Sequence, residues 1–361
     1  MQILFIVPSL KSGGLERVAS LLASKWSEQK HDVTLLTLDS KRPFYQLNKA
    51  INLVQAPELY DKKGGIRKAF ALWNWLPNEV KKIKAEIILS FGEGYNAFVV
   101  ANLGFLKTPI FLSNRTTPLS SLTGLRGVLN PVFYPKSHLV FVQTQRAKEI
   151  LKNRYRGTKF EVLPNPIMDI KNTTDYKQKS ILNVGSIGGK KNQSELIDIF
   201  SELSEEFKDW NLIFAGDGPN KDCLQDKVLE LNLEKRIIFK GVVKDLDSLY
   251  DQSSIFAFTS LLEGFPNALG EAMRAGMAVI SYDCLTGPSE LINHSRNGYL
   301  IPIKEKEAYK TYLKKLMINQ NLREELGTQA RITAESYNLN RIASLYISYF
   351  SASRENSQLN S

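Results

Sequence analysis

Glu263-Gly-Phe-Pro-Asn-Ala-Leu-Gly-Glu271 sets two carboxylates eight residues apart, with a Gly-Phe-Pro turn and the opening of a helix between them. The preceding chain, Ser254-Ile-Phe-Ala-Phe-Thr-Ser260, reads as a buried strand. The following chain, Ala268 to Ala275, reads as a small-residue helix. One acid therefore belongs at the carboxyl end of a strand and the other one turn into the next helix. Open α/β sheets take ligands at that edge, and a helix N-terminus offers free N–H groups and positive dipole to an anion. Two carboxylates beside an anion site make sense if they hold neutral hydroxyls. A sugar nucleotide has hydroxyls at both ends and a diphosphate between.

Working outward, short apolar runs alternate with amphipathic ones. In the first half, strands are expected at Gln2–Val7, Asp32–Thr37, Ile51–Val54, Ile87–Phe91, Pro109–Ser113 and Leu139–Gln143. Helices are expected at Gly14–Lys30, Ile66–Ile83, Tyr95–Leu106 and Gln145–Arg154. This βαβ rhythm implies a parallel sheet covered on both faces. It breaks near Pro164-Asn-Pro166 and the polar run Lys171–Lys179, which read as a linker. It then restarts with six further strands from Ser180 to Ile301. The expected architecture is α/β: two doubly wound, Rossmann-like domains, residues 1–166 and 167–338, with a cleft between them. A last helix, about 339–354, carries Leu339, Ile342, Leu345, Tyr346 and Tyr349 as one stripe and is expected to pack back on the first domain, with a polar tail fraying from Ser351.

The chain has 361 residues and a net charge of +10. Residues 1–170 hold 24 Lys+Arg against 12 Asp+Glu, a net +12, which leaves −2 for the rest. A solvated basic surface would give the same count. The sharper expectation is a first half that faces an anionic membrane surface. Nucleic acid is not expected, because no zinc spacing or RNA-binding signature appears. The segment from Lys62 to Pro77, followed by Lys81, Lys82 and Lys84, mixes Phe70, Trp73 and Trp75 with cations as interfacial helices do, although an amphipathic core helix would read alike. Cys223 and Cys284 fit no metal or redox spacing and point to a reducing compartment.

Three glycine-bearing loops follow expected strands. Ser12-Gly13-Gly14 opens the first helix and lacks the G-x-G-x-x-G dinucleotide pattern. Val184-Gly-Ser-Ile-Gly-Gly-Lys-Lys-Asn192 brings two lysines to a strand end, where they suit a phosphate. Ala215-Gly-Asp-Gly-Pro219 is a third strand-end turn, as readily a plain turn as a nucleotide contact. Asp245-Leu-Asp247 imitates a D-x-D metal motif, but Asp247 fits a helix cap.

Taken in order, these loops, Ser260-Leu-Leu-Glu263-Gly-Phe-Pro-Asn267 with Glu271, and Asn297-Gly-Tyr-Leu300 resemble glycosyltransferase family four, retaining enzymes of the GT-B fold, in its bacterial surface-polysaccharide branch. The resemblance implies that Glu263 holds hydroxyls of the donor sugar and Glu271 those of the ribose. It gives the diphosphate to the backbone N–H groups of Asn267, Ala268 and Leu269 and to Lys191, with Lys190, Ser186, Gly216 and Phe265 nearby. Gly13 and Gly14 would close over the phosphates. No metal or other cofactor is implied beyond a nucleotide-sugar co-substrate, a UDP-sugar. The acceptor implied is a lipid-linked saccharide, and the location is the cytoplasmic face of the cell membrane.

Two positions depart from the family pattern. Ser186 stands where many relatives carry arginine, so Lys190 or Arg115 is expected to supply the missing cation. Ser113-Asn114-Arg115 replaces the usual histidine region. Arg115 is expected to orient the donor, not to act as a base, because it stays protonated. Glu93, with Asn114, is a candidate acceptor contact, and a solvated turn acid would read the same. His31, His138 and His294 offer no catalytic substitute. A GT-B phosphorylase or epimerase, and a non-catalytic saccharide-binding relative, share the architecture; the first would need a pyridoxal lysine context not seen here.

Overall fold

The computed structural model describes residues 1–11, 13–170 and 177–359. Ser12, and 171–176 of the expected linker, lie outside the described residues. The chain divides into two compact units, Met1–Pro166 with Leu339–Ser361, and Ile167–Asn338.

The first unit is a parallel sheet of β1 (Gln2–Val7), β2 (Asp32–Thr37), β3 (Asn52–Gln55), β4 (Ile87–Phe91), β5 (Ile110–Ser113), β6 (Leu139–Val142) and β7 (Phe160–Val162). Its order is β3-β2-β1-β4-β5-β6-β7. The second holds β8 (Gln178–Val184), β9 (Asn211–Ala215), β10 (Ile237–Phe239), β11 (Ser253–Phe258), β12 (Ala278–Asp283) and β13 (Tyr299–Pro302), ordered β10-β9-β8-β11-β12-β13. Every pairing is parallel. Both sheets therefore reverse their winding between their first and fourth strands, β1/β4 and β8/β11. Helices cover both faces, which is why β1, β4, β8 and β11 are almost unbroken runs of buried residues.

One face of the first sheet packs under the helix Gly14–Glu28 and the last helix, Leu339–Leu359, through Trp26, Ile342, Tyr346 and Phe350. Trp26 donates its Nε1–H to Ala343 O at 3.1 Å. The stripe expected on this helix is rotated: Ala343 and Phe350 are buried, whereas Leu345 is 37% exposed. The helix also continues through Ser351 instead of fraying there.

Several elements carry no expectation from the sequence. β7 is only three residues long. The helix Gly124–Phe133 holds two glycines and Pro131, which read as loop residues. The helix Gln320–Glu335 lays Gly327 against the backbone of Gly276, where a Cβ would come within 2.2 Å of Gly276 O. The helix Gly65–Ile83 survives Pro77 in its interior. Proline removes the donor that would serve Trp73 O, and Asn102 Nδ2 donates to that oxygen at 2.8 Å instead.

Candidate active site

At the winding reversal of the second sheet, two loops meet. The loop after β8 carries Ser186 to Asn192, and the loop after β11 carries Ser260 to Pro266. Leu261 N donates to Lys190 O at 2.9 Å and Thr259 Oγ1 to Lys191 O at 3.1 Å, so the lysine-bearing backbone is fixed to the end of β11. Asn192, at φ 53°, then turns the chain into the helix Gln193–Ser204.

This geometry brings Lys191 Nζ to 2.6 Å from Glu263 Oε1. The Lys191 side chain keeps 24% of its surface exposed and that of Glu263 11%, so the pair is reachable from solvent. Thr286 Oγ1 donates to Glu263 O at 2.5 Å and anchors that loop to the end of β12. Burial, with the Glu263 charge adding to it, pushes the nearby Cys284 thiol up to about 12. That thiol stays protonated at neutral pH.

Gly-Phe-Pro then leads into the helix Asn267–Arg274. Its cap residue, Pro266, makes no side-chain cap hydrogen bond, and in the opening turn Asn267 N donates back to Phe265 O at 3.0 Å. Gly287, at φ 107°, keeps this approach tight, since a Cβ there would lie 2.6 Å from Pro266 Cδ. Glu271, one turn in, is buried and accepts from Tyr250 OH at 3.0 Å. Tyr250 escaped the sequence reading, and only its place on the short helix Asp247–Gln252 brings it there. Asp247 is the first residue of that helix and not its cap: the cap position is Leu246, which makes no side-chain cap hydrogen bond, and Asp245 Oδ1 accepts from Asp247 N at 3.1 Å.

Other expected contacts have packing reasons of their own. The Phe265 ring is buried against Tyr337, so only its backbone is left to meet a ligand. Leu269 is also wholly buried, while Ala268 is half-buried. Gly216, at φ 150°, abuts Gly185: a Cβ would fall 1.9 Å from Gly185 O. Glycine is required there by the two loops themselves. Ser186 O accepts from Gln193 Nε2 at 2.9 Å, and the Lys190 side chain is exposed.

In the first unit, Gly13 is extended at φ 171° and lies against the Tyr45 hydroxyl, while Gly14 begins the helix and is exposed. Arg115, expected to reach donor phosphate, is turned inward. Its Nη1 donates to Asn165 Oδ1 at 2.7 Å and to Leu163 O at 3.3 Å, its Nη2 donates to the Tyr346 hydroxyl, and its guanidinium lies 4.4 Å from the Phe91 ring centre. Burial lowers its pKa to about 9, opposed by the Glu93 charge, and the side chain stays charged at neutral pH. Arg115 thus braces the unit from within. Asn114 is likewise spent: its Oδ1 accepts from Tyr134 OH and Asn96 Nδ2, and its Nδ2 donates to Ser121 Oγ. Glu93 is buried too, accepting from Thr116 N at 2.6 Å and from Thr116 Oγ1, with its pKa raised by burial. It nevertheless lines a pocket of this unit.

The chain as a whole is similar to known proteins. Amylovoran biosynthesis glycosyltransferase AmsD of Erwinia amylovora is 26% identical over 337 residues, covering 90% of this chain and 92% of that protein. The GalNAc-alpha-(1->4)-GalNAc-alpha-(1->3)-diNAcBac-PP-undecaprenol alpha-1,4-N-acetyl-D-galactosaminyltransferase of Campylobacter jejuni is 24% identical over 351 residues, covering 95% and 96%. The structure of Anabaena Alr3699/HepE in complex with UDP-glucose superposes with a TM-score of 0.78 at 16% identity, covering 97% of this chain and 99% of that one. Each unit is therefore one half of a GT-B fold. Residues 12–169 match the glycosyltransferase family 4 model and residues 166–333 the glycosyl transferases group 1 model, so that the chain belongs to the family 4, group 1 glycosyltransferases.

Proposed function

We propose that this glycosyltransferase moves a hexose or N-acetylhexosamine from a UDP-sugar onto a lipid-linked saccharide in bacterial surface-polysaccharide biosynthesis, with retention of anomeric configuration and no metal. The observation that carries the reading is the Lys191–Glu263 pair at 2.6 Å beside a helix start with no side-chain cap. The two charges neutralise each other without a ligand. A nucleotide sugar would part them, taking Lys191 and the N–H groups of Asn267, Ala268 and Leu269 on its diphosphate and Glu263 on its sugar hydroxyls. Lys191 and the helix dipole then stabilise the departing nucleoside diphosphate, where negative charge grows in the transition state. Glu271, oriented by Tyr250, takes the ribose hydroxyls. No described side chain is assigned as the base, and the leaving phosphate takes the acceptor proton on the same face.

The relatives support the sugar and acceptor classes: the Campylobacter enzyme's name gives an undecaprenyl-diphosphate saccharide, and HepE was captured with UDP-glucose. Peripheral attachment to the cytoplasmic face of the membrane is part of this reading. It is supported by the basic first half and by Ile66 and Phe70, which stand 89% and 69% exposed among lysines and arginine. No helix among the described residues is long and apolar enough to cross a membrane. Incubation with UDP-sugars and a lipid-linked saccharide, followed by NMR of the product anomer, tests the proposal. An α-linked product from an α-linked donor is expected; a β-linked product would overturn retention.

A further inference from the structure

The first unit contains a pocket of about 700 Å³ that the donor chemistry does not use. It opens between the helices Gly65–Ile83 and Gly124–Phe133 and the loop after β4. Leu72, Phe98 and Leu129 make its apolar wall, and Lys68, Glu93 and Arg126 are its acidic and basic lining. Its size and largely apolar character are those of a small-molecule site. Lys68 is held by Asp61 at 2.7 Å, whereas Arg126 is exposed and has no ion pair among the described residues.

The apolar lining continues onto the surface. On the helix Gly65–Ile83, Ile66, Phe70 and Trp73 recur at helical spacing and are exposed, beside the buried stripe of Leu72, Leu76 and Val80. On the helix Gly124–Phe133, Leu125, Val128 and Val132 do the same. Each helix thus has an outward apolar stripe, of which Trp73 also packs on its own unit through Phe98, 5.8 Å away between ring centres; the pocket lies between the helices, with Arg67 and Arg126 exposed on them and Lys62 and Lys63 exposed just before the first. An apolar cavity with a free cation suits an amphiphile that joins a hydrocarbon chain to an anionic head.

We propose that this pocket binds the first isoprene units of a polyprenyl diphosphate, with the diphosphate on Arg126 and the rest of the chain leaving along the two outward stripes. The proposal rests on the lipid-linked acceptor reading and adds a binding site to it. It places recognition of the lipid inside the first unit, and not only at its surface.

Isothermal titration of the full chain with farnesyl diphosphate, and in parallel with inorganic diphosphate, tests it. Farnesyl diphosphate is expected to bind at least about tenfold more tightly than inorganic diphosphate, a difference of one decade in Kd. Ala69→Phe, at an exposed position lining the pocket, fills the cavity and should weaken farnesyl diphosphate by about tenfold. Arg126→Ala should weaken both ligands. Equal affinity for the two ligands, or unchanged binding of farnesyl diphosphate in Ala69→Phe, overturns the pocket. Co-sedimentation with phosphatidylglycerol vesicles without any preference for farnesyl diphosphate also overturns it, since the stripes would then meet only a bilayer. Farnesyl diphosphate binding that persists while no lipid-linked saccharide is glycosylated would break the acceptor reading and leave the pocket standing.

Discussion

Glu263 and Glu93 occupy equivalent places, each following the fourth strand of a sheet wound in the same order. Their surroundings differ. Glu263 meets a partly exposed lysine, and the helix that follows opens without a side-chain cap. Glu93 is buried against Thr116, near an arginine that is itself consumed by Asn165, Leu163 and Tyr346. Topology delivers polar groups to the same edge in both units. Whether those groups stay available to a ligand depends on what else the unit asks them to hold.

The largest test of that contrast is Glu263→Ala. Losing a group that acts on the transferring sugar should lower turnover by about 10²–10³-fold, with the melting temperature nearly unchanged because the side chain is a partly exposed partner of Lys191. Near-normal turnover would remove Glu263 from the donor site.

Arg115→Met should do the reverse. It leaves buried acceptors on Asn165, Leu163 and Tyr346 without their donor, a loss on the order of 3 kcal/mol. For a unit of this size that lowers the melting temperature by about 6–12 °C. Turnover per folded molecule should stay within a few fold. A variant that melts normally and fails to turn over would erase the contrast and give Arg115 a direct part in the reaction.

A smaller effect is expected from Glu271→Gln. Weakening a charged hydrogen bond to the ribose should raise the donor KM by about tenfold with kcat nearly kept. An unchanged KM would show that the ribose lies elsewhere.

The smallest effect concerns Glu93→Gln. Because burial raises the Glu93 pKa, folding favours its protonated form. That contribution is present below the unfolded carboxylate pKa and is lost as pH rises through the folded value. The melting temperature of Glu93→Gln should therefore gain on that of the wild type as pH rises from about 4 to 8. A gap independent of pH would mean that Glu93 is charged throughout and better solvated than its burial indicates.

Most of the strands were legible because a parallel sheet covered on both faces writes itself as short apolar runs, and the helix Lys306–Ile318 because its apolar spacing is regular. The helices Gly124–Phe133 and Gln320–Glu335 were not, because glycine and proline carry loop chemistry in isolation and take their helical meaning from neighbours that pack against them. Tyr250 was missed for a related reason: nothing local distinguishes it from any tyrosine on a short helix.

The sequence by itself pointed to the reaction family, since Glu263, Asn267 and Glu271 stand in one continuous segment and their spacing is a local property of the chain. Only the tertiary structure decided which of the remaining polar residues are free to work. Lys191 meets Glu263 across 72 residues of sequence, and Arg115 meets Tyr346 across 231. The first contact leaves a charge pair that a ligand can separate. The second spends a guanidinium on the last helix, because a buried cation must find its partners wherever the fold brings them.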